Sequence, residues 1–187
     1  MKRVFSAIVG AVVVVVVVAR GPSAQSVTLA TDFMKDWRAQ KDTMMKIADA
    51  MPAEKFGFKT TPPQRTYGEQ ILHVAGANIM LLKFLGGKTP APPINDADLS
   101  VFGLTAAAKP DVLKALSDSY DYGEAVLKEF SDAQLTQTVK GPRWIGEATR
   151  AKMVYFTLGH TQDIYGQMVV YLRLNGIVPP ASRRGGV

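Results

Sequence analysis

From about residue 30 onward, apolar side chains recur every three or four positions and almost no stretch alternates, so the chain predicts four long helices and little strand. Phe33, Trp37, Met44, Ile47 and Met51 form the first stripe. Pro52 closes it, because proline disfavours helix at the residue before it, which gives a helix over about 30 to 51. After Pro62-Pro63, the pair Thr66 and Glu69 reads as a capping box opening a second helix, about 67 to 85, that stops at Gly86-Gly87. A connection of about twenty residues with Pro90, Pro92 and Pro93 follows, long enough to carry the chain from one end of a bundle to the other.

Leu113, Leu116, Tyr120, Leu127 and Phe130 mark a third helix over about 110 to 130, with Pro110 suited to its first turn. Ser131 and Gln134 match another capping box, predicting a short turn through Leu135. Met153, Phe156, His160, Ile164, Met168 and Tyr171 then place the last helix over about 147 to 175, ended by Asn175-Gly176 and kept from restarting by Pro179-Pro180. Four helices with one long crossover between the second and third predict an all-α four-helix bundle.

Residues 1–24 read differently. Lys2 and Arg3 precede an apolar run from Val4 to Ala19 that contains seven consecutive valines, and Gly21-Pro22-Ser23-Ala24 follows. The run is shorter than the roughly 20 residues a spanning helix needs and ends in small residues, as in a secretory signal peptide cleaved near Ala24, with an uncleaved N-terminal anchor as the alternative. Residues 25–187 then form a single domain in a secreted or periplasmic protein with no membrane span after cleavage. With 187 residues and 47% hydrophobic content, the chain can bury one ordinary core.

Removing residues 1–24 takes away Lys2, Arg3 and Arg20 and no acid, leaving 19 basic residues against 16 acidic. The charge is mildly positive and the basic residues are scattered, which speaks against a nucleic-acid partner. The absence of cysteine excludes disulfides, a thiolate nucleophile and cysteine-based metal or haem sites.

Candidate chemistry gathers on the two histidines. His73 lies within the second helix and His160 within the last, so two imidazoles can converge across one core. Position 164, one turn after His160, would carry the next ligand on that face, and it holds Ile164. Asp163 is the available substitute, giving a two-histidine, one-carboxylate donor set of His73, His160 and Asp163. Glu69 and Gln70, one turn before His73, are further candidates, with Glu69 already assigned to the cap. The alternative is a pair of core histidines bonded to Asn78, Gln167 or a tyrosine hydroxyl. Trp144, in a loop near one end of the bundle, either caps the core or covers a pocket mouth, and the cap is the simpler expectation.

The segment Asp163, Tyr165-Gly166-Gln167 and Tyr171 through Ser182, together with Leu72 through Asn78 and Met51 through Phe56, resembles the DinB-like (DinB/YfiT) family over about residues 30 to 182. The resemblance implies an up-down-down-up bundle, often dimeric. It also implies a divalent metal held by three histidines, one on the second helix and two, four residues apart, on the last. His73 and His160 match the first two of these positions and Ile164 departs at the third. Family members include thiol S-transferases and suspected metal-dependent hydrolases. Two function classes follow. One is an exported enzyme acting on a small-molecule substrate through Zn, Ni or a similar ion, with hydrolysis favoured because the transferases' thiols are cytosolic. The other is a non-catalytic bundle that binds a small ligand or partner and has lost the metal.

Overall fold

The computed structural model describes residues 27–94 and 108–183. Helix α1 is Leu29–Ala50, α2 is Tyr67–Lys83, α3 is Lys109–Leu127, α4 is the single turn Asp132–Leu135 and α5 is Arg150–Leu174. Strands β1, Thr138–Lys140, and β2, Glu147–Thr149, pair antiparallel between α4 and α5. The predicted signal peptide lies outside the described residues, as do residues 95–107 of the predicted crossover. No helix among the described residues is long and apolar enough to cross a membrane.

The four long helices form an up-down-down-up bundle. Helices α1 and α2 each pack against both α3 and α5, so the first two helices in sequence sit on one diagonal. Contacts along the helices fix their directions. Lys109 at the start of α3 donates to the carbonyls of Asp49 and Met51 at the end of α1, at 2.6 and 3.0 Å, so α1 and α3 are antiparallel. Glu129, just past α3, accepts from the backbone amides of Lys88 and Thr89, just past α2, at 2.5 and 2.8 Å, so α2 and α3 are parallel.

Local sequence explains the helix ends. Thr66 accepts from the Glu69 amide at 3.1 Å while Glu69 accepts from the Thr66 amide at 2.6 Å, the predicted reciprocal cap. Ser131 and Gln134 cap α4 in the same way. The last helix differs from its prediction: residues 147–149 are the second strand of a hairpin, and Thr149 caps α5 by accepting from the Lys152 amide at 3.1 Å. Three-residue strands are too short for alternation to register, which is why the hairpin was invisible in the pattern.

The core is continuous through all four helices. Trp37, Met44 and Ile47 from α1 meet Tyr67, Ile71 and Leu82 from α2, Leu116 and Tyr120 from α3, and Met153, Met168 and Tyr171 from α5. Trp37 donates its indole N–H to the Tyr120 carbonyl at 2.8 Å, satisfying the polar edge of a fully buried ring. A β-carbon at Gly123 would lie 2.1 Å from Trp37 Cζ2, so a glycine there lets α1 approach α3.

Candidate functional site

Helices α2 and α5 run antiparallel and are tied along their length by side chains. Gln70 donates to Gln167 Oε1 at 2.8 Å, and Thr161 donates to Asn78 Oδ1 at 3.4 Å. Nearer the other end, Arg150 donates to the Leu85 carbonyl at 2.7 Å. This register brings the two histidines together. The His73 and His160 rings stand edge to face with centroids 5.2 Å apart and planes at 85°. The predicted convergence is therefore observed, and both side chains are half-buried.

Electrostatics keep the pair neutral. Burial, then the positive charge of Arg65, then His160 itself lower the pKa of His73 to about 4. Burial also lowers that of His160; Asp163 opposes the shift and Arg65 adds to it. Two neutral imidazoles at neutral pH are in the protonation state that metal ligation requires. His73 Nδ1 is buried and has no hydrogen-bond partner among the described residues. Neither Asn78 nor Gln167 supplies the bond a packed core histidine would need: Asn78 donates to Ser119 Oγ, and Gln167 donates to Asp163.

Asp163 is exposed and accepts from Gln167 Nε2 at 3.0 Å, completing a chain from Gln70 through Gln167 to its carboxylate. Glu69 is held at the α2 cap. Ile164 is 3% exposed and packs in the core. Among the described residues no three His, Cys, Asp or Glu side chains form a group that could hold a metal ion. As donors, two neutral imidazoles on neighbouring helices suit a divalent transition ion. Their edge-to-face arrangement at 5.2 Å is also that of a packed aromatic pair. Two histidines do not make a closed structural site, which takes four protein ligands.

Two features near the pair were missed or misplaced by the sequence reading. Gln70 and Gln167, weighed separately, work together to hold Asp163. Trp144 does not cap the core; it is 61% exposed, with its ring 5.1 Å from that of Phe156, one turn before His160 on α5. Two grooves open between α1 and α5, and neither is lined by a histidine.

Comparison with known proteins agrees with this architecture. A DinB-like protein from Bacillus cereus ATCC 10987 is 18% identical, with a TM-score of 0.68 over 80% of this chain and 95% of its own. The DinB-like protein YjoA from Bacillus subtilis is 13% identical, with a TM-score of 0.61 over 78% and 92% of the two chains. YfiT from Bacillus subtilis, described as a probable metal-dependent hydrolase with an unusual four-helix bundle topology, is 14% identical, with a TM-score of 0.62 over 85% and 95%. No curated protein matches the chain. The sequence pattern of the DinB superfamily matches residues 36–168, a span running from α1 through both histidines to Met168, and the chain thus belongs to that superfamily.

Proposed function

We propose that His73 and His160 bind a divalent transition metal such as zinc or nickel, and that the protein is an exported metal-dependent enzyme of the hydrolase type acting on a small molecule. The observation that carries this reading is the facing pair of neutral imidazoles, 5.2 Å between centroids, with an unpartnered buried nitrogen on His73. What a divalent ion contributes when bound is Lewis acidity, which polarises a carbonyl or lowers the pKa of a coordinated water. The chain's own residues prepare for it. Burial and Arg65 keep both rings unprotonated, so no proton has to leave before ligation near neutral pH. Asp163, one turn from His160, supplies the negative charge of the site, and Gln167, itself held by Gln70, fixes its carboxylate.

Hydrolysis is supported by the description of YfiT as a probable metal-dependent hydrolase. Residues 1–24, read as an export signal, add support by removing the protein from cytosolic thiol cofactors. The second reading, a bundle that binds a ligand without catalysis, is favoured by Ile164, which buries an alkyl side chain where a third ligand would stand.

The test is metal content, by inductively coupled plasma mass spectrometry, of untagged protein beginning at Gln25 and of its His73→Ala/His160→Ala double variant. About one equivalent of metal in the parent and none in the variant is expected. No metal in the parent, even after incubation with excess Zn²⁺ or Ni²⁺, would leave the non-catalytic reading. Asp163→Asn should weaken zinc binding by about two- to fivefold without abolishing it, as expected of an exposed charge that acts on the site through solvent.

A further inference from the structure

We infer that Trp144, which rests on Phe156 one turn of α5 before His160, is a substrate-contacting residue, so that the site takes small molecules carrying a planar aromatic group; this rests on the reading of His73 and His160 given above. The two tryptophans of the chain have opposite fates. Trp37 is 1% exposed in the core, whereas Trp144 is 61% exposed. Phe156 and His160 are four residues apart on α5 and therefore share a face, about 6 Å apart along the axis. Trp144 leans on Phe156 with its ring plane tilted by 55°, which places an open indole surface against the α5 turn that precedes His160.

The exposure of Trp144 is imposed by the loop that carries it. Between β1 and β2, the Gly141 amide donates to the Gly146 carbonyl at 2.8 Å, and the amides of Ile145 and Gly146 both donate to the Pro142 carbonyl at 2.9 Å. Gly146 has φ +73°, a conformation that favours glycine. A β-carbon at Gly141 would lie 3.0 Å from the Gly146 carbonyl and 3.1 Å from Met153 Sδ, so the base of the loop is packed tightly on α5. A large apolar ring is thus held out by a cross-bonded turn rather than folded under it. Indole offers a rigid stacking surface at low entropic cost, and a planar group of a ligand seated at the histidines would cover it.

Acrylamide quenching of tryptophan fluorescence reads this surface, because Trp37 is buried and Trp144 supplies the accessible signal. The probes are benzohydroxamate and acetohydroxamate, which share a metal-chelating head and differ in the aromatic ring. Each is tested with zinc-loaded and zinc-free protein of measured metal content. Benzohydroxamate should reduce the quenching slope about twofold, and acetohydroxamate should leave it unchanged. By calorimetry, benzohydroxamate should bind zinc-loaded parent about three- to tenfold more tightly than Trp144→Ala, the range expected for one aromatic contact. Acetohydroxamate should bind the two equally. Unchanged quenching with benzohydroxamate, or equal benzohydroxamate affinities in parent and variant, would overturn the inference. So would protection that rises with protein concentration alone, which would assign Trp144 to contact between copies of the chain. Protection by benzohydroxamate in protein that takes up no metal would uphold the aromatic contact while overturning the metal reading, so the two failures are distinguishable.

Discussion

Protonating His73 is costly in the folded protein, and this sets how the chain responds to acid. Burial and nearby positive charge hold its pKa at about 4, below the ordinary value of 6.5. As pH falls, the unfolded state takes up the proton first, so the stability associated with neutral His73 is complete above about 6.5 and is lost between there and about 4. Thermal melts of metal-free protein at pH 7.5 and 4.5 should show this loss, and His73→Gln should lose less over the same interval. An identical loss in parent and variant would assign the acid sensitivity to other groups. Ile164 allows the complementary test. Ile164→His adds an imidazole one turn from His160, and zinc affinity by competition with a chelator should rise by at least about tenfold, because three protein ligands replace two. Unchanged affinity would mean that position 164 does not face the ion. The histidine pair was legible in the sequence because each residue lies on an unambiguous helix. The engagement of Asp163 with Gln167 was not, because an (i, i+4) bond on an exposed face competes with ligation at no cost in pattern.

Helix α3 depends on a missing side chain. Gly123 leaves room for Trp37 Cζ2, and the space cannot be recovered by a small shift, because Leu82 Cδ1 would also lie 2.8 Å from an added β-carbon. Gly123→Ala should therefore destabilise the protein by about 2 kcal/mol through overpacking, despite the better helix propensity of alanine. Differential scanning calorimetry should register a melting temperature lower by about 4–8 °C. A gain in stability would show that α1 and α3 can separate freely. The sequence gives no warning of this contact, since a glycine inside a helical pattern reads only as a weak position. Element ends were far more legible. The caps at Thr66 and Ser131 and the stop at Met51-Pro52 declare themselves locally, and α1 and α2 begin within one residue of their expected starts. The hairpin was missed because its strands are three residues long and its turn chemistry lies in Gly141, Pro142 and Gly146, which periodicity does not weigh.

At the scale of the molecule, helix count and loop length made a bundle legible, whereas the diagonal placement of α1 and α2 is set by packing that no single segment encodes. That placement lets α2 and α5 be neighbours, without which the two histidines would not meet. It leaves residues 51–66 to cross the end of the bundle, where Tyr67 bonds the Ile47 carbonyl and Tyr171 bonds the Arg65 carbonyl at 2.6 Å. The compartment in which this site operates decides which substrates reach it, and residues 1–24 carry that proposal. Expressed as the full chain in a bacterial host, the protein should be recovered from the periplasmic fraction, with an intact mass corresponding to a start at Gln25. A full-length mass in the cytoplasmic fraction would sink the export proposal. It would also return thiol transfer to contention, because the argument for hydrolysis leans in part on separating the histidine pair from cytosolic thiols.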